Sequence, residues 1–226
     1  MRKILFSLLL LFTASVHAVS LADLSNKDAV AGLKQALEKG AASAVGKLGK
    51  VDGFLGNPQV KIPLPDSLQR VDGLLRTFGQ GRYADELVTT MNRAAEAAVP
   101  QAKALLIRTI KGMSVQDAKN ILTGGDTAAT EYFRSKTAQP LAAKFLPIVQ
   151  KQTARLKLAQ KYDQFAGKAE RFGLVDRNQA NIEQYVTQKT LDGLYLMMAQ
   201  EEKAIRADPV GQGSKLISKV FGAIGN

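Results

Sequence analysis

Residues 26–48 read NKDAVAGLKQALEKGAASAVGKL, and this stretch decides the fold. Its apolar side chains recur every three or four positions, at Val30, Leu33, Leu37, Ala41, Ala44 and Leu48. That spacing places them on one side of a helix, as expected for a face that packs against other helices. Ser25 followed by Asp28 forms a capping box at its start. We therefore predict a helix over 26–48 with one buried face.

The same helical spacing continues through most of the chain. It predicts further helices over about 66–77, 82–112, 114–124, 126–137, 140–172, 187–207 and 214–224. Pro100 should kink or break the third helix, because proline cannot donate a hydrogen bond to the Glu96 carbonyl. Pro140 suits the first turn of a helix and should begin a new one, with Pro147 kinking it early. No segment predicts a sheet, so the fold class is all-α: a single bundle of about seven or eight helices.

One segment, residues 50–65, interrupts the helical pattern. It ends in VKIPLP, where Ile62 and Leu64 alternate with Pro63 and Pro65. Proline disfavours helix at the preceding residue and is excluded from central strands. We predict an extended arm that lays Val60, Ile62 and Leu64 on the helices.

The first 18 residues have the pattern of a secretory signal. Arg2 and Lys3 precede an apolar run over 4–12, and Val16-His17-Ala18 provides a small-residue cleavage site. The run is too short for a membrane-spanning helix, which needs about 20 residues. We expect cleavage after Ala18, a mature helical domain over 19–226, and a location in the periplasm or outside the cell.

Cleavage would also remove the single histidine, His17, from a chain that has no cysteine. Zinc sites depend on His and Cys, and Ser-His-Asp and Cys-His arrangements need an imidazole. The sequence has neither a calcium loop of the EF-hand type nor a phosphate-binding P-loop. We therefore predict no metal site and no cofactor. Paired carboxylates, as used by glycosidases, remain open as catalysts.

The mature chain is strongly basic. Removing Arg2 and Lys3 leaves 29 Lys and Arg against 20 Asp and Glu, a net charge of +9. Such a field would attract an anionic envelope component, such as lipopolysaccharide, anionic phospholipid or cell-wall polymer. The simpler alternative is a lysine-rich solvated surface. Nucleic acid is not favoured as a partner, because few aromatic residues interleave with the basic stretch 144–177.

Four polar stretches, over 91–98, 124–134, 185–195 and 201–209, supply the candidate site. Its predicted members are Asn92, Arg93, Glu96, Asp126, Thr127, Thr130, Arg134, Tyr185, Asp192, Glu201 and Arg206. Asn92, Arg93 and Glu96 project to one side of a helix. Three interpretations follow: they line a cleft, they form a structural network, or they belong to a solvated face. The structural interpretation is favoured, because buried polar side chains usually satisfy one another.

A second part of this site is the start of the helix that follows Gly124 and Gly125. Glycines before a helix suit an anion-binding N-terminus. We expect Asp126 or Thr127 to cap this helix, and the Asp126 carboxylate would then occupy the free N–H groups in place of an anion. Farther along the chain, Glu202 and Arg206 are spaced as an ion pair of neighbouring helical turns.

The polar stretches also carry a resemblance to a known family. The matching pieces include Met91-Asn-Arg-Ala-Ala-Glu96, Gly125-Asp-Thr-Ala-Ala-Thr130, Leu191-Asp-Gly-Leu194 and Ile205-Arg206 before Asp208-Pro209. In this order they resemble the bacterial family catalogued as domain of unknown function 4197, over nearly all of the mature chain. The resemblance implies an exported, mostly helical protein of Gram-negative type, and it implies no reaction, cofactor or catalytic residue.

Three hypotheses about function follow from these patterns. The first is an exported helical protein of the cell envelope that binds or scaffolds without catalysis. The alternative is a carboxylate-based hydrolase that acts on an envelope polymer, with Glu96 near Asp126 or Glu201 in one cleft. The second alternative is peripheral membrane attachment through the apolar side of the last helix. That side consists of Leu216, Ile217, Val220, Phe221 and Ile224.

Overall fold

A computed structural model describes residues 26–79, 81–155, 157, 182–211 and 214–222. In these residues the all-α class is confirmed. The helices are α1 (Asn26–Leu48), α2 (Asp66–Thr77), α3 (Arg82–Ala98), α4 (Ala102–Lys111), α5 (Val115–Leu122), α6 (Ala128–Arg155), α7 (Ile182–Ala207) and α8 (Lys215–Gly222). The predicted signal over 1–18, and the part of the predicted 140–172 helix beyond residue 157, lie outside the described residues.

Helix α1 occupies a central place in the bundle. It packs against α4, α5, α7 and α8, while α6 and α7 form another extensive pair. The predicted buried face is confirmed from Leu33 to Leu48, and both of these side chains are fully buried. Gly32 lets α8 approach closely, since a Cβ there would lie 2.5 Å from a Val220 methyl carbon. Burial of this apolar face is the main source of stability.

The predicted arm over 50–65 is also confirmed. Turns occupy 51–60 and an extended segment follows over 61–65. Val60, Ile62 and Leu64 are buried, whereas Lys61 and Pro63 between them are exposed. Phe54, fully buried at the start of the arm, packs against Gly193 of α7. The alternation of apolar and exposed residues thus anchors a non-helical segment onto the bundle.

Two helix boundaries match the prediction from local sequence. The break at Pro100 is a short 3-10 turn, Val99–Gln101, between α3 and α4. Helix α5 begins after Ser114, whose side chain accepts the Asp117 N–H while the Asp117 side chain accepts the Ser114 N–H. Because both bonds form, the capping box satisfies two donors at that helix end.

The prediction for α6 is wrong in one respect. We expected one helix to end near Thr137 and a second to begin at Pro140, yet α6 continues from Ala128 to Arg155 with Pro140 and Pro147 inside it. Both prolines are exposed. The carbonyls that lose a partner, four residues earlier, therefore lie on the side where water can solvate them.

The start of α7 also differs from the prediction. It begins at Ile182, five residues before the expected Thr187, and ends at Ala207 as expected. None of the helices in the described part of the chain combines the length and apolar character needed to cross a membrane.

Candidate functional site

Asn92 of α3 binds the backbone of the arm. Its side chain is fully buried, and its Oδ1 accepts the Ile62 N–H at 2.8 Å. Its Nδ2 donates to the carbonyls of Ile62, at 2.9 Å, and Val88, at 2.8 Å. The amide thus supplies the two hydrogen bonds that a neighbouring strand would give to Ile62. A buried extended segment needs such partners for its N–H and C=O groups.

Glu96, one turn farther along α3, binds the start of the arm. Its Oε1 accepts the N–H groups of Phe54 and Leu55, both at 3.1 Å. Its Oε2 accepts a hydrogen bond from Arg93 at 2.7 Å, and Arg93 also reaches Asp52 at 2.8 Å. Glu96 and then Asp52 raise the pKa of the Arg93 guanidinium above its usual value. We call Asn92, Arg93 and Glu96 the arm lock.

A second buried carboxylate, Glu202 of α7, binds the start of α6. Its two oxygens accept the N–H groups of Ala129 and Thr130, each at 2.9 Å. The Thr130 hydroxyl also donates to Glu202. A carboxylate is stabilised there by the positive end of the helix dipole. We call Glu202, Thr130 and Arg206 the helix-start lock.

Arg206 completes the helix-start lock from one turn farther along α7. It donates to the Glu202 carboxylate at 3.0 Å and to the Ile121 carbonyl, near the end of α5, at 2.9 Å. Its guanidinium also lies 5.7 Å from the centre of the Phe221 ring of α8. Four helices therefore meet at one ion pair.

The expectation that Asp126 caps α6 is wrong. The donors at the helix start are taken by Glu202 and, for the Ala128 N–H, by the Gly125 carbonyl. Asp126 is exposed. Thr127 is half-buried, and its carbonyl accepts the Glu131 N–H. A more distant carboxylate prevails because the fold holds it in line with two N–H groups.

The remaining predicted residues lie in other contacts. Arg134 is 3.9 Å from the Asp192 carboxylate and lies 4.7 Å over the ring of Tyr195. Tyr185 donates to the Pro63 carbonyl of the arm at 3.0 Å. Glu201 pairs with Lys47 at the end of α1. Within the described residues, the hydrogen bonds and ion pairs thus divide the predicted cluster into separate groups.

Tyr195, which was not among the predicted site residues, has a buried phenol. Its hydroxyl shares a hydrogen bond of 2.8 Å with that of Thr137. Burial raises the pKa of Tyr195, while the Thr137 hydrogen bond and the Arg134 charge oppose this shift. The phenol therefore stays protonated in the folded protein to a higher pH than a solvated tyrosine.

The structural role of Glu202 was missed, although the sequence contains a signal for it. Glu202 falls between Met198 and Ile205 at spacings of four and three, inside the apolar stripe of α7. A charged residue in such a stripe is buried only with a partner. Its helical neighbour Arg206 was recognised as that partner, but the N–H groups of α6 lie more than 70 residues away in sequence.

Two small cavities lie beside Glu202. One of about 20 Å³ is lined by Glu202, Thr130 and apolar side chains that include Phe133 and Met198. The other, of about 10 Å³, borders Glu202, Arg206 and Phe221. Cavities of this size hold at most a single water molecule. In the described parts of the chain, no three His, Cys, Asp or Glu side chains are grouped as metal ligands.

Fold and contacts together define a class: an all-α protein in which buried amide and charged side chains fasten distant backbone segments to one another. The chain belongs to the family described as a protein of unknown function (DUF4197), whose family model matches residues 23–222. No curated protein and no solved structure matches the chain.

Proposed function

We propose that this protein is an exported component of the bacterial cell envelope that binds or scaffolds and does not catalyse a reaction. One observation carries the second half of the proposal: both buried carboxylates of the polar stretches are occupied. Glu96 accepts from two backbone N–H groups and Arg93. Glu202 accepts from two backbone N–H groups, a hydroxyl and Arg206. A catalytic carboxylate must instead reach the atom of the substrate on which it acts.

The first half of the proposal rests on the sequence. The signal pattern over 1–18 supports export, and the net charge of +9 after cleavage supports an anionic partner in the envelope. The alternative of membrane attachment through the last helix has less support. Ile217, Val220 and Phe221 are buried, and α8 packs on α1, so these side chains are not available to lipid in this arrangement.

Cell fractionation tests export and envelope binding together. The full chain, tagged at its C-terminus, is produced in a Gram-negative host beside a version that lacks residues 2–18. We expect the full chain to yield a mature protein that starts at Val19. It should sediment with the envelope at low salt and be released without detergent at about 0.5 M salt, where charges are screened within a few ångströms. An unprocessed protein that stays in the cytoplasm would contradict the proposal.

Two conservative variants test in the same assay whether the two buried carboxylates are structural. Glu96→Gln and Glu202→Gln remove a charge and keep the size of the side chain. If both carboxylates are structural, each variant that still folds should be retained by the envelope as well as the wild type. A folded variant that is exported but no longer retained would show that the carboxylate contacts a partner or substrate. That result would contradict the structural role of the carboxylate, on which the absence of catalysis rests.

A further inference from the structure

The cations of the described residues are distributed unevenly with respect to carboxylates. Several of those on other helices lie in ion pairs, among them Lys47, Arg76, Arg93 and Arg206. By contrast, α4 contains no acidic residue, and α6 contains none after Glu131. These two helices pack against each other. Their exposed cations, which we call the basic face, are Lys103, Arg108, Lys111, Lys136, Lys144, Lys151 and Arg155.

No salt bridge within the described residues engages the basic face, although the charge of Lys136, after the hydrogen bonds from Ser114, contributes to lowering the pKa of Asp117 on α5. The salt bridges there involve other Lys and Arg side chains. An additional amino group approaches from α1, where Lys34 donates to the Lys111 carbonyl at 3.0 Å. Like charges that are left close together create a positive potential that attracts an anionic surface.

The residues between the cations narrow the class of partner. On the exposed side of α6 they are small, proline or glutamine: Gln139, Pro140, Ala143, Pro147, Gln150 and Ala154. The aromatic residues Phe133 and Phe145 are buried and Tyr132 is half-buried, so α6 offers little surface for stacking nucleic-acid bases. No large apolar side chain is exposed on α6 that would enter the acyl region of a membrane. Contact would therefore be electrostatic and confined to the headgroups.

The dimensions suit an array of headgroups. From Lys136 to Arg155, α6 extends about 29 Å at the helical rise of 1.5 Å per residue. Helix α4 packs against α6, and packed helices have axes about 8–10 Å apart. Cations that come from two packed helices cover more area than a single row, which suits a sheet of phosphates better than a single polymer strand.

We propose that the basic face binds the phosphate headgroups of an anionic lipid membrane, with the protein attached peripherally. This inference rests on the proposed function, because an exported envelope protein meets such surfaces. Each Lys or Arg held near an anionic lipid surface contributes about fivefold in affinity. Binding should therefore be strong at low salt and lost at high salt.

Vesicle sedimentation with the purified mature chain tests the basic face. The vesicles contain phosphatidylglycerol and phosphatidylethanolamine, and neutral vesicles contain phosphatidylcholine alone. We expect Lys144→Glu/Lys151→Glu to weaken binding to the anionic vesicles by about 30-fold or more. The matched control, Lys50→Glu/Lys203→Glu, changes net charge equally at exposed residues elsewhere and should weaken it by less than about threefold. Lys144→Gln/Lys151→Gln should fall between these values, and circular dichroism verifies that each variant is folded.

Four results would overturn the inference. The first two are that the wild type does not bind anionic vesicles at low salt, or that it binds neutral vesicles equally well. The third is that the basic-face variant and the control variant lose the same affinity. The fourth is that the protein binds single-stranded RNA or a soluble anionic polysaccharide more tightly than the vesicles. Cell fractionation separates this failure from that of the proposed function. If the protein is exported and retained by the envelope but does not bind vesicles, the proposed function stands and the assignment of lipid as the partner is wrong. If the protein binds vesicles through the basic face but is not exported, lipid binding stands and the proposed function is wrong.

Discussion

Glu96 and Glu202 solve the same physical problem at two places. Each supplies an acceptor to two consecutive backbone N–H groups that have no partner within their own element. Each is neutralised by an arginine one turn away on its own helix, Arg93 or Arg206. A buried charge is tolerated only when it is paired and fully hydrogen-bonded. The arginine, the carboxylate and the backbone segment therefore function as one unit.

Removing one of these carboxylates should be costly. Glu96→Ala leaves the buried Phe54 N–H, the partly buried Leu55 N–H and Arg93 without their acceptor. We expect it to lower the free energy of unfolding by about 2–4 kcal/mol. Urea unfolding followed by circular dichroism measures this. The control is Glu86→Ala, an exposed glutamate on the same helix, which should cost less than about 1 kcal/mol. Equal effects of the two substitutions would contradict a structural role for Glu96.

Tyr195 should make the protein sensitive to alkaline pH. Burial raises its pKa, so above about pH 10 the unfolded chain loses the phenolic proton while the folded chain keeps it. Stability is then complete below the unfolded pKa and falls as pH rises through the folded pKa. We expect Tyr195→Phe to flatten this decline in urea unfolding between pH 8 and 11.

The matched variant is Thr137→Val. It removes the same hydrogen bond from Tyr195 but leaves the phenol in place, so it should retain the alkaline decline. Tyr132 and Tyr185, whose pKa values burial also raises, contribute a remaining slope. If Tyr195→Phe and Thr137→Val showed the same pH profile, the phenol would not be the titrating group.

At the scale of elements, α6 shows why local patterns predicted most boundaries but not this one. Its buried residues recur every four positions: Ala129, Phe133, Thr137, Leu141, Phe145, Val149 and Thr153. A spacing of four rotates the buried stripe by about 40° per step around an α-helix. The stripe therefore winds around α6 and leaves no fixed apolar face. Together with the two prolines, this pattern predicts two shorter helices. The helix nevertheless continues, because packing along the winding stripe compensates for the hydrogen bonds lost at the prolines.

The arm was predictable because its signal is local. Proline at every second position and apolar residues between them are enough to indicate an extended, anchored segment. What it binds was not predictable: the Asn92 amide pairs with Ile62, 30 residues earlier. Hydrogen bonds between distant elements depend on how the helices pack, and periodicity carries no information about that.

The contact between the arm and α7 gives a further test. A Cβ at Gly193 would lie 2.7 Å from a ring carbon of Phe54. We expect Gly193→Ala to destabilise the protein by about 1–2 kcal/mol, because this overlap outweighs the better helix propensity of alanine. In Gly46→Ala, where nothing lies within 4 Å of the added Cβ, only propensity acts, and stability should rise by up to about 1 kcal/mol. Phe54→Leu should partly rescue Gly193→Ala in a double-mutant cycle. Additive effects would argue against the contact.

For the whole molecule, the two locks differ in how many elements they connect. The arm lock joins α3 to one irregular segment, through Ile62, Phe54 and Leu55. The helix-start lock joins α7 to the start of α6, to the end of α5 through the Ile121 carbonyl, and to Phe221 of α8. These connections determine which segments unfold locally. A segment held by few contacts opens independently of the core.

This difference should be visible in amide hydrogen exchange. We expect Asn92→Ala to accelerate exchange mainly over residues 54–62, with α1 and α6 little affected.

We expect Glu202→Ala to accelerate exchange together in α5, the first turns of α6 and α8, because one carboxylate and its arginine hold all three. Glu131→Ala, an exposed acidic residue in the first turn of α6, serves as the control and should leave all these regions protected. If Glu202→Ala affected only the start of α6, the four helices would not be coupled through Arg206. If Asn92→Ala accelerated exchange uniformly, the arm would be part of the cooperative core and not a separately fastened segment.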